Sequence, residues 1–308
     1  MNTEKGMSSG YYHSGYATSL CEFGTPVYLP ACNAWIIKRP IPGTSYYDAM
    51  GCYPLFCCQN WAALESDIKS LKNDLVSLVL VTDPMANIDS VWLNNIFDHV
   101  YLYRHHFVVE TGSPLHTFVS KSHQANARKA LRKINVEKCE NPVDRLDDWL
   151  HLFDVLASRH QIEGLRRFSA DAFRQQLSLP GMVMFRSSYQ QETVGLDLWY
   201  EQDNGAQGHL VAFNETGYKL SASYASKWAV LSHFNERVRW INLGGGQSMD
   251  GNDGLGFFKK GFANTTRPSW LCGKILQPDI YQELANFEIN GRSTYFPAYR
   301  HGELIRKN

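Results

Sequence analysis

Between His209 and Ile275 the sequence passes from strand to helix and back to strand. His209 to Phe213 is a short apolar run with strand character, and after a turn Tyr224, Trp228, Leu231, Phe234 and Val238 recur at helical spacing. Trp240 to Leu243 is again a strand, and it runs out into Gly244, Gly245 and Gly246. Asn252 to Phe262 follows, with Phe258, Lys259 and Phe262 close together, and then a last strand from Ser269 to Ile275. Two strands joined through a helix pair in parallel, since a tight hairpin can only reverse direction. Ligands of such sheets settle beyond the carboxyl ends of the strands. The rest of the chain is therefore read as support for one crevice.

At 308 residues the chain exceeds a typical single domain, so two domains are expected. With 44% hydrophobic and 19% charged residues it has the composition of a folded chain with a sizeable core. Thirty basic residues balance thirty acidic ones, which excludes a global field that recruits DNA or an anionic membrane and leaves room only for a local basic patch. The seven cysteines include no C-x-x-C pair, and Cys57 and Cys58 are adjacent. No signal peptide and no apolar run of about 18 residues is visible, so a reduced, cytoplasmic protein without a membrane span is expected. Cys52, Cys57 and Cys58 with His13 lack the spacing of ligands, and no metal is expected.

The chain before the crevice supplies a smaller α/β half. Residues 1 to 20 are rich in Ser, Gly and Tyr without a period and predict a loose start. Val27 to Leu29 and Trp35 to Lys38 are short strands, and Ile41 to Leu55, carrying Pro42, Gly43, Gly51 and Pro54, reads as an irregular loop. Asn60 is placed to cap a helix whose Trp61, Leu64, Ile68, Leu71 and Leu75 share a face. Val76 to Thr82 is a buried strand stopped by Asp83-Pro84, followed by a short helix over Val91 to Phe97 and a strand over Phe107 to Glu110.

A basic helix, Ser122 to Ile134, opens the second half. Lys121, Arg128 and Arg132 fall near one row and Lys129 with Lys133 on the next, which suits either a solvated face or a platform for phosphates. Arg145 to His160 forms an amphipathic helix, and Ser169 caps the next. The cation-rich stretch between them, Arg159 to Phe168, is either merely exposed or a binding loop. Val183 to Ser188, Val194 to Tyr200 and Gly208 to Phe213 make a three-stranded meander, with Asp203-Asn204-Gly205 as a hairpin turn. From Asn135 the order is thus strand, two helices, three strands, helix, strand, helix, strand.

That order resembles the GNAT acyltransferase fold. The words SKSHQANARKALRK, HLVAFNETGYKLSASYASKWAVL, WINLGGG and GLGFFKKGF are similar to the Fem-type branch, the aminoacyltransferases of peptidoglycan cross-bridges and their acetyltransferase-like relatives. The resemblance covers nearly the whole chain, most specifically 120 to 275. It implies an α+β or α/β architecture of two GNAT-like halves (the acyl-CoA N-acyltransferase fold), with mixed central sheets flanked by helices and a degenerate first half. The expected boundaries are 1–118 for the first half, with a tail at 280–308 packing back on it, and 119–279 for the catalytic half.

The resemblance also carries roles onto residues. The Phe-Lys pair before the final strand falls at Phe258 and Lys259, where the lysine stabilises charge on the acyl carbonyl or holds the end of the donor. The basic helix matches at Arg128 and Lys129, near the phosphates of a nucleotide-linked acceptor; Lys121 on the same helix row and Arg159, His160 and Arg166 of the cation-rich loop are, on the residues alone, the further candidate substrate contacts. Tyr218, Lys219, Ser221 and Ser223 fall in the loop that cradles the donor's pyrophosphate. That loop lacks the usual Q/R-x-x-G-x-G/A pattern and has only Gly217, which leaves an aminoacyl-tRNA donor open beside acetyl-CoA or another acyl-CoA.

Direct acyl transfer needs proximity, removal of a proton and support of an oxyanion. Gly244, Gly245 and Gly246 either let backbone amides approach a ligand or simply form a bend. His209 is the first choice of base because imidazole titrates near working pH, against a role as a hydrogen-bonded strand residue. Asp197 is the second, alternating with Leu196 and Leu198. Tyr224, with Tyr218, can donate to a carbonyl or leaving group or can pack with its hydroxyl satisfied. No Ser-His-Asp or Cys-His constellation points to a hydrolase. Three functions follow: an acyl-CoA-dependent transferase acting on an amine or hydroxyl of a small or envelope-precursor acceptor, an aminoacyl-tRNA-dependent transferase, or a non-catalytic relic that binds a nucleotide-linked metabolite.

Overall fold

A computed structural model describes residues 8–86, 88–248, 251–288, 295–301 and 303. The elements in chain order are α1 (Ser14–Ser19), β1 (Thr25–Leu29), β2 (Ala34–Pro40), β3 (Tyr47–Gly51), α2 (Leu64–Ser70), β4 (Ser77–Val81), α3 (Ser90–Ile96) and β5 (His99–Glu110). Then come α4 (Leu115–Phe118), α5 (Lys121–Ala130), β6 (Asn135–Lys138), α6 (Leu146–His160), α7 (Ala170–Leu177), β7 (Met182–Tyr189), β8 (Glu192–Gln202) and β9 (Gly205–Phe213). The last group is α8 (Glu215–Lys219), α9 (Ala222–Phe234), β10 (Trp240–Gly245), α10 (Gly254–Lys260), β11 (Thr265–Ile275) and α11 (Pro278–Glu288). Among the described residues no helix is long and apolar enough to cross a membrane.

The chain divides into two compact units, though not at 118/119 and 279/280 as the sequence suggests. The larger unit takes residues 1–13, 104–162 and 169–267, and the smaller takes 14–103, 163–168 and 268–308. The divisions at 103/104 and 267/268 fall inside β5 and β11, where no linker composition marks them. The final strand was expected to close the second half. Instead β11 pairs antiparallel with β4 of the first half, Leu271 opposite Val81 and Lys274 opposite Leu78. The edge of β10 away from β9 is taken by β5, with Ile241 opposite Val109.

Within each unit the strands pair in a mixed pattern. In the larger one the order is β5-β10-β9-β8-β7-β6, and only the β10–β9 pair is parallel. The β8–β9 turn is the predicted one: Asp203 and Asn204 both take positive φ, as a two-residue hairpin loop requires. Trp199, Phe185, Ile241, Leu243 and Phe107 of the sheet bury against Val230, Leu231 and Phe234 of α9 and Phe262. In the smaller unit β1-β2-β3-β4-β11 repeats the plan, an antiparallel meander followed by a parallel pair, β3 with β4, joined through α2. Here the parallel pair is not left parted. It ends at Met50 opposite Val79, and the returning chain then lays Phe56 against Thr82, with the Phe56 amide donating to the Val81 carbonyl. The plan is thus repeated in the two units, and in the smaller one the gap beyond the parallel pair is filled.

Three local expectations fail before Leu71. The start is not loose from residue 8 onward: Tyr11, Tyr16, Ala17 and Leu20 are buried, and the Gly10 amide donates to the Pro180 carbonyl. Ile41 to Leu55 contains β3, whose Asp48 is buried against Arg300. Asn60 makes no capping bond; a 3-10 turn at Trp61–Ala63 leads into α2, which stops at Ser70. In the smaller unit Tyr299 packs with Ile41 and Val76 and shares a hydrogen bond with Ser77.

Candidate active site

The parallel pairing of β9 and β10 ends at Gln207 opposite Asn242. Beyond it each strand follows a different neighbour. β10 runs on beside β5 as far as Gly245, opposite His106. β9 stays with β8 through a bulge: Leu198 faces Leu210 but Trp199 faces Gly208, so His209 is the extra residue. The bulge bends β9, and beyond Gln207 and Asn242 no ladder among the described residues joins it to β10; this unpaired stretch is the slot.

A buried polar row lies across the three strands where the parting begins. His106 Nδ1 meets Asn242 Oδ1 at 3.2 Å, and Asn242 Nδ2 donates to Gln207 Oε1 at 2.8 Å. The Gly244 amide donates to the same Asn242 oxygen at 2.9 Å. Burial, helped by the charges of Lys259 and Arg104, lowers the His106 pKa to about 3, so the ring is neutral. Polar side chains at this depth persist only when partnered, and their mutual bonds fix the level at which the strands separate.

Lys259 reaches this point from α10. Asp253 starts that helix, accepting from the amides of Leu255 and Gly256 on one oxygen and from Gln247 and Ser248 on the other. Burial alone would raise this carboxyl, but the Ser248, Gly256 and Gln247 donors hold it well below the usual carboxylate range. The turn thus secured delivers Lys259 Nζ to the Gly245 carbonyl at 2.8 Å. Gly244 has φ +82°, a conformation that favours glycine, and a Cβ there would lie 2.9 Å from Nζ, so any side chain would have to displace the amine. Arg104 of β5 donates to the Gly246 carbonyl. Desolvation, then the charges of Lys227 and Arg104, bring the Lys259 pKa from 10.5 to about 7. At neutral pH the amine is therefore divided between a base and a cation.

Lys227 is the residue that sequence reasoning missed. It is buried on α9, its ammonium 3.2 Å from Asp197 Oδ2 and 4.4 Å above the Trp199 ring. Asp197 also accepts from Trp199 Nε1 at 2.7 Å and Ser226 Oγ at 3.0 Å. A signal was present: Lys227 stands three residues after Tyr224 and four before Leu231, inside the apolar row, where a solvated lysine does not belong. Arg104, His106, Gln207 and Asn242 gave no such signal, because only the pairing of β5, β10 and β9 brings them together.

The other expected residues fall as follows. Asp197 faces Lys227 as a saturated acceptor, with three donors already upon it. His209 is bonded on both ring nitrogens, to the Tyr11 hydroxyl at 2.9 Å and Gln176 Oε1 at 3.2 Å, and burial lowers its pKa to about 3. Such a ring is a poor proton acceptor at neutral pH, which the strand position alone did not reveal. The three glycines serve their own turn, since the Gly244 amide is taken by Asn242 and the Gly245 and Gly246 carbonyls by Lys259 and Arg104. Phe258 and Tyr224 pack edge to face at 5.0 Å beside His123 and Phe262.

The stretch expected to cradle a pyrophosphate is largely wound into α8. The amides of Gly217, Tyr218, Leu220, Ser221 and Tyr224 are all bonded within the segment. Lys219 is exposed and pairs with Glu215. Ser221 precedes α9 with φ +58° and no capping bond, and Ser223 lies in that helix's first turn, where backbone amides point outward. Arg159 stacks over the Tyr218 ring at 4.4 Å, joining two residues the sequence named separately. Lys121, Arg128 and Lys129 are exposed on α5, and His160 is half-buried at the end of α6. Arg166 belongs to the smaller unit, where its Nε is buried and has no hydrogen-bond partner among the described residues.

The sequence matches no protein-family description and no curated protein. The structure is similar to that of FemX, with a TM-score of 0.68 at 12% identity over 88% of this chain and 93% of that one. It is also similar to the C-terminal domain of a protein named as a lysylphosphatidylglycerol synthetase from Agrobacterium fabrum (TM-score 0.59, 13% identity, 84% and 87% covered). A third similar structure is L-PGS from Bacillus licheniformis (TM-score 0.56, 13% identity, 86% and 93% covered). The chain has a fold like that of FemX. At these identities the likeness establishes the Fem-like architecture, and the chemistry rests on the residues of this slot.

Proposed function

We propose that the protein transfers an acyl group to an amine by direct attack in the slot between β9 and β10. The observation that carries this reading is the Lys259 amine, held over the parted strands with a pKa of about 7. The acceptor amine attacks the carbonyl carbon of a thioester or ester, forming a C–N bond and a tetrahedral oxyanion. Neutral Lys259 takes the proton that the attacking nitrogen sheds. The resulting ammonium, with Lys227 and Arg104 contributing to the same positive field, opposes the oxyanion's charge. Collapse breaks the bond to the leaving group, which leaves as a thiol or hydroxyl after receiving that proton from Lys259. No covalent acyl-enzyme is needed. Asp197 anchors Lys227, and His209 with Tyr11 and Gln176 stiffens the bulge.

Acyl-CoA is the donor we infer first, with the first turn of α9 at the half-buried Ser223 as the place for its phosphates. An aminoacyl-tRNA donor is the second reading, favoured by the internally bonded amides of α8, which leave no glycine cradle for a pyrophosphate. The test is thiol release from acetyl-CoA across a panel of amino sugars, amino acids and nucleotide-linked amines, run beside transfer from bulk aminoacyl-tRNA. Acyl transfer that disappears in Lys259→Met supports the reading. Transfer at an unchanged rate in that variant removes Lys259 from the chemistry, and product from neither donor class sinks the enzyme reading in favour of a binding relic.

A further inference from the structure

The outer face of α5 carries charge that the chemistry of the slot does not use. Lys121, Arg128, Lys129, Arg132 and Lys133 are all exposed, and among the described residues none of them forms an ion pair. His123, Ala127 and Ala130 form the buried side, which turns the row of Lys121, Arg128 and Arg132 outward with Lys129 and Lys133 on its flank. The chain as a whole is neutral, so this positive field is local.

Apolar side chains are exposed among these cations. Leu131, 40% exposed, stands between Lys129 and Arg132 at the end of the helix. At the other end α10 packs on the first turn of α5: the Ser120 amide donates to the Gly261 carbonyl at 2.9 Å, and His123 Nε2 meets the Phe258 carbonyl at 3.1 Å. α10 leaves Phe257 68% and Leu255 38% exposed, with exposed Lys260 close by. Exposed Phe and Leu beside unpaired Lys and Arg is the composition of a surface that lies at a lipid headgroup boundary. The cations meet anionic headgroups, and the apolar side chains enter just below them. A nucleic acid would satisfy the same cations, yet Leu131 and Leu255 offer its bases neither a ring to stack on nor a hydrogen bond.

We propose that the α5–α10 surface docks the larger unit onto an anionic lipid bilayer. The assay is flotation of the full chain with vesicles of phosphatidylcholine alone or with about a third phosphatidylglycerol, at about 0.1 M and about 1 M salt, between which the screening length falls from about 10 to about 3 Å. The protein is expected to float with the anionic vesicles at the lower salt, to be released at the higher, and to ignore the neutral ones. Neutralising two cations in Arg132→Gln/Lys133→Gln is expected to weaken partitioning about 30-fold. Phe257→Ser weakens it while leaving its salt dependence intact. Unchanged melting temperatures certify the folds, and Lys129→Gln/Lys133→Gln replaces the first pair should its melting shift. Equal flotation with neutral vesicles, or undiminished binding by the neutralised variants, overturns the proposal. So does salt-sensitive retention of bulk tRNA without any flotation.

Discussion

Lys259→Met is expected to stabilise the protein below neutral pH, by an amount that shrinks as pH rises. Folding moves the Lys259 pKa from 10.5 to about 7, because the ammonium is desolvated beside Lys227 and Arg104 and has the Gly245 carbonyl as its acceptor. Between those two values the unfolded chain holds a proton that the folded chain has released, so stability rises with pH through that window. Below about pH 7 both states are protonated and the folded state bears the whole cost of the buried charge. At about 1.4 kcal/mol per pKa unit the full window is worth about 5 kcal/mol, and the part between pH 6 and pH 9 about 2.5 kcal/mol. Methionine keeps the length of the side chain and removes the titration. The variant's advantage over the parent should therefore fall by about 2.5 kcal/mol from pH 6 to pH 9. Urea unfolding followed by the fluorescence of the eight tryptophans measures it. His106 and His209, near 3 when folded, stay neutral in the folded chain across this range, and their unfolded titration near 6.5, like that of the Cys52 thiol near 9, is the same in both proteins and cancels in the comparison. An advantage that is flat with pH, or that grows toward pH 9, refutes the buried-cation argument.

The same pKa sets the pH profile of acyl transfer, which should rise through a midpoint near 7 and then level; a rate that falls through that midpoint would exclude Lys259 as the base. Arg300→Ala strands Asp48, which takes Nε at 2.5 Å and Nη2 at 2.9 Å, and should cost about 3–5 kcal/mol in urea unfolding, whereas a loss below about 1 kcal/mol would mean the pair is solvated. Gly205→Ala sets a Cβ 2.1 Å from the Trp240 ring and should cost about 1–3 kcal/mol, most of it recovered when Trp240→Leu is added. If the double variant is no better than the single one, crowding is not the cause.

Local patterns are legible wherever a segment's period and punctuation agree. The meander with its Asp203-Asn204 turn, the Ser169 cap, the crossover through α9 and the strand at Trp240 are all found where the sequence places them. The Ser169 hydroxyl accepts from the Ala172 amide, as the pattern requires. Legibility fails where burial comes from distant residues. β3 looks like a loop because its Gly and Pro neighbours outweigh five residues whose partner, Arg300, lies at the other end of the chain. His209 looks like a base because nothing local shows Tyr11 and Gln176 closing on its ring.

The sequence by itself determined that two strands run in parallel and part beside a lysine, since only a crossover can join them and glycines follow the second. Tertiary structure decided what that lysine is. Its depressed pKa arises from Lys227 on a helix face and Arg104 on a strand more than a hundred residues earlier in the chain, and desolvation depends on neighbours in space rather than neighbours in sequence. Tertiary structure also decided which strand flanks β10. Strand pairing is a competition among edges that are equivalent in pattern, and β5 rather than β11 occupies that edge.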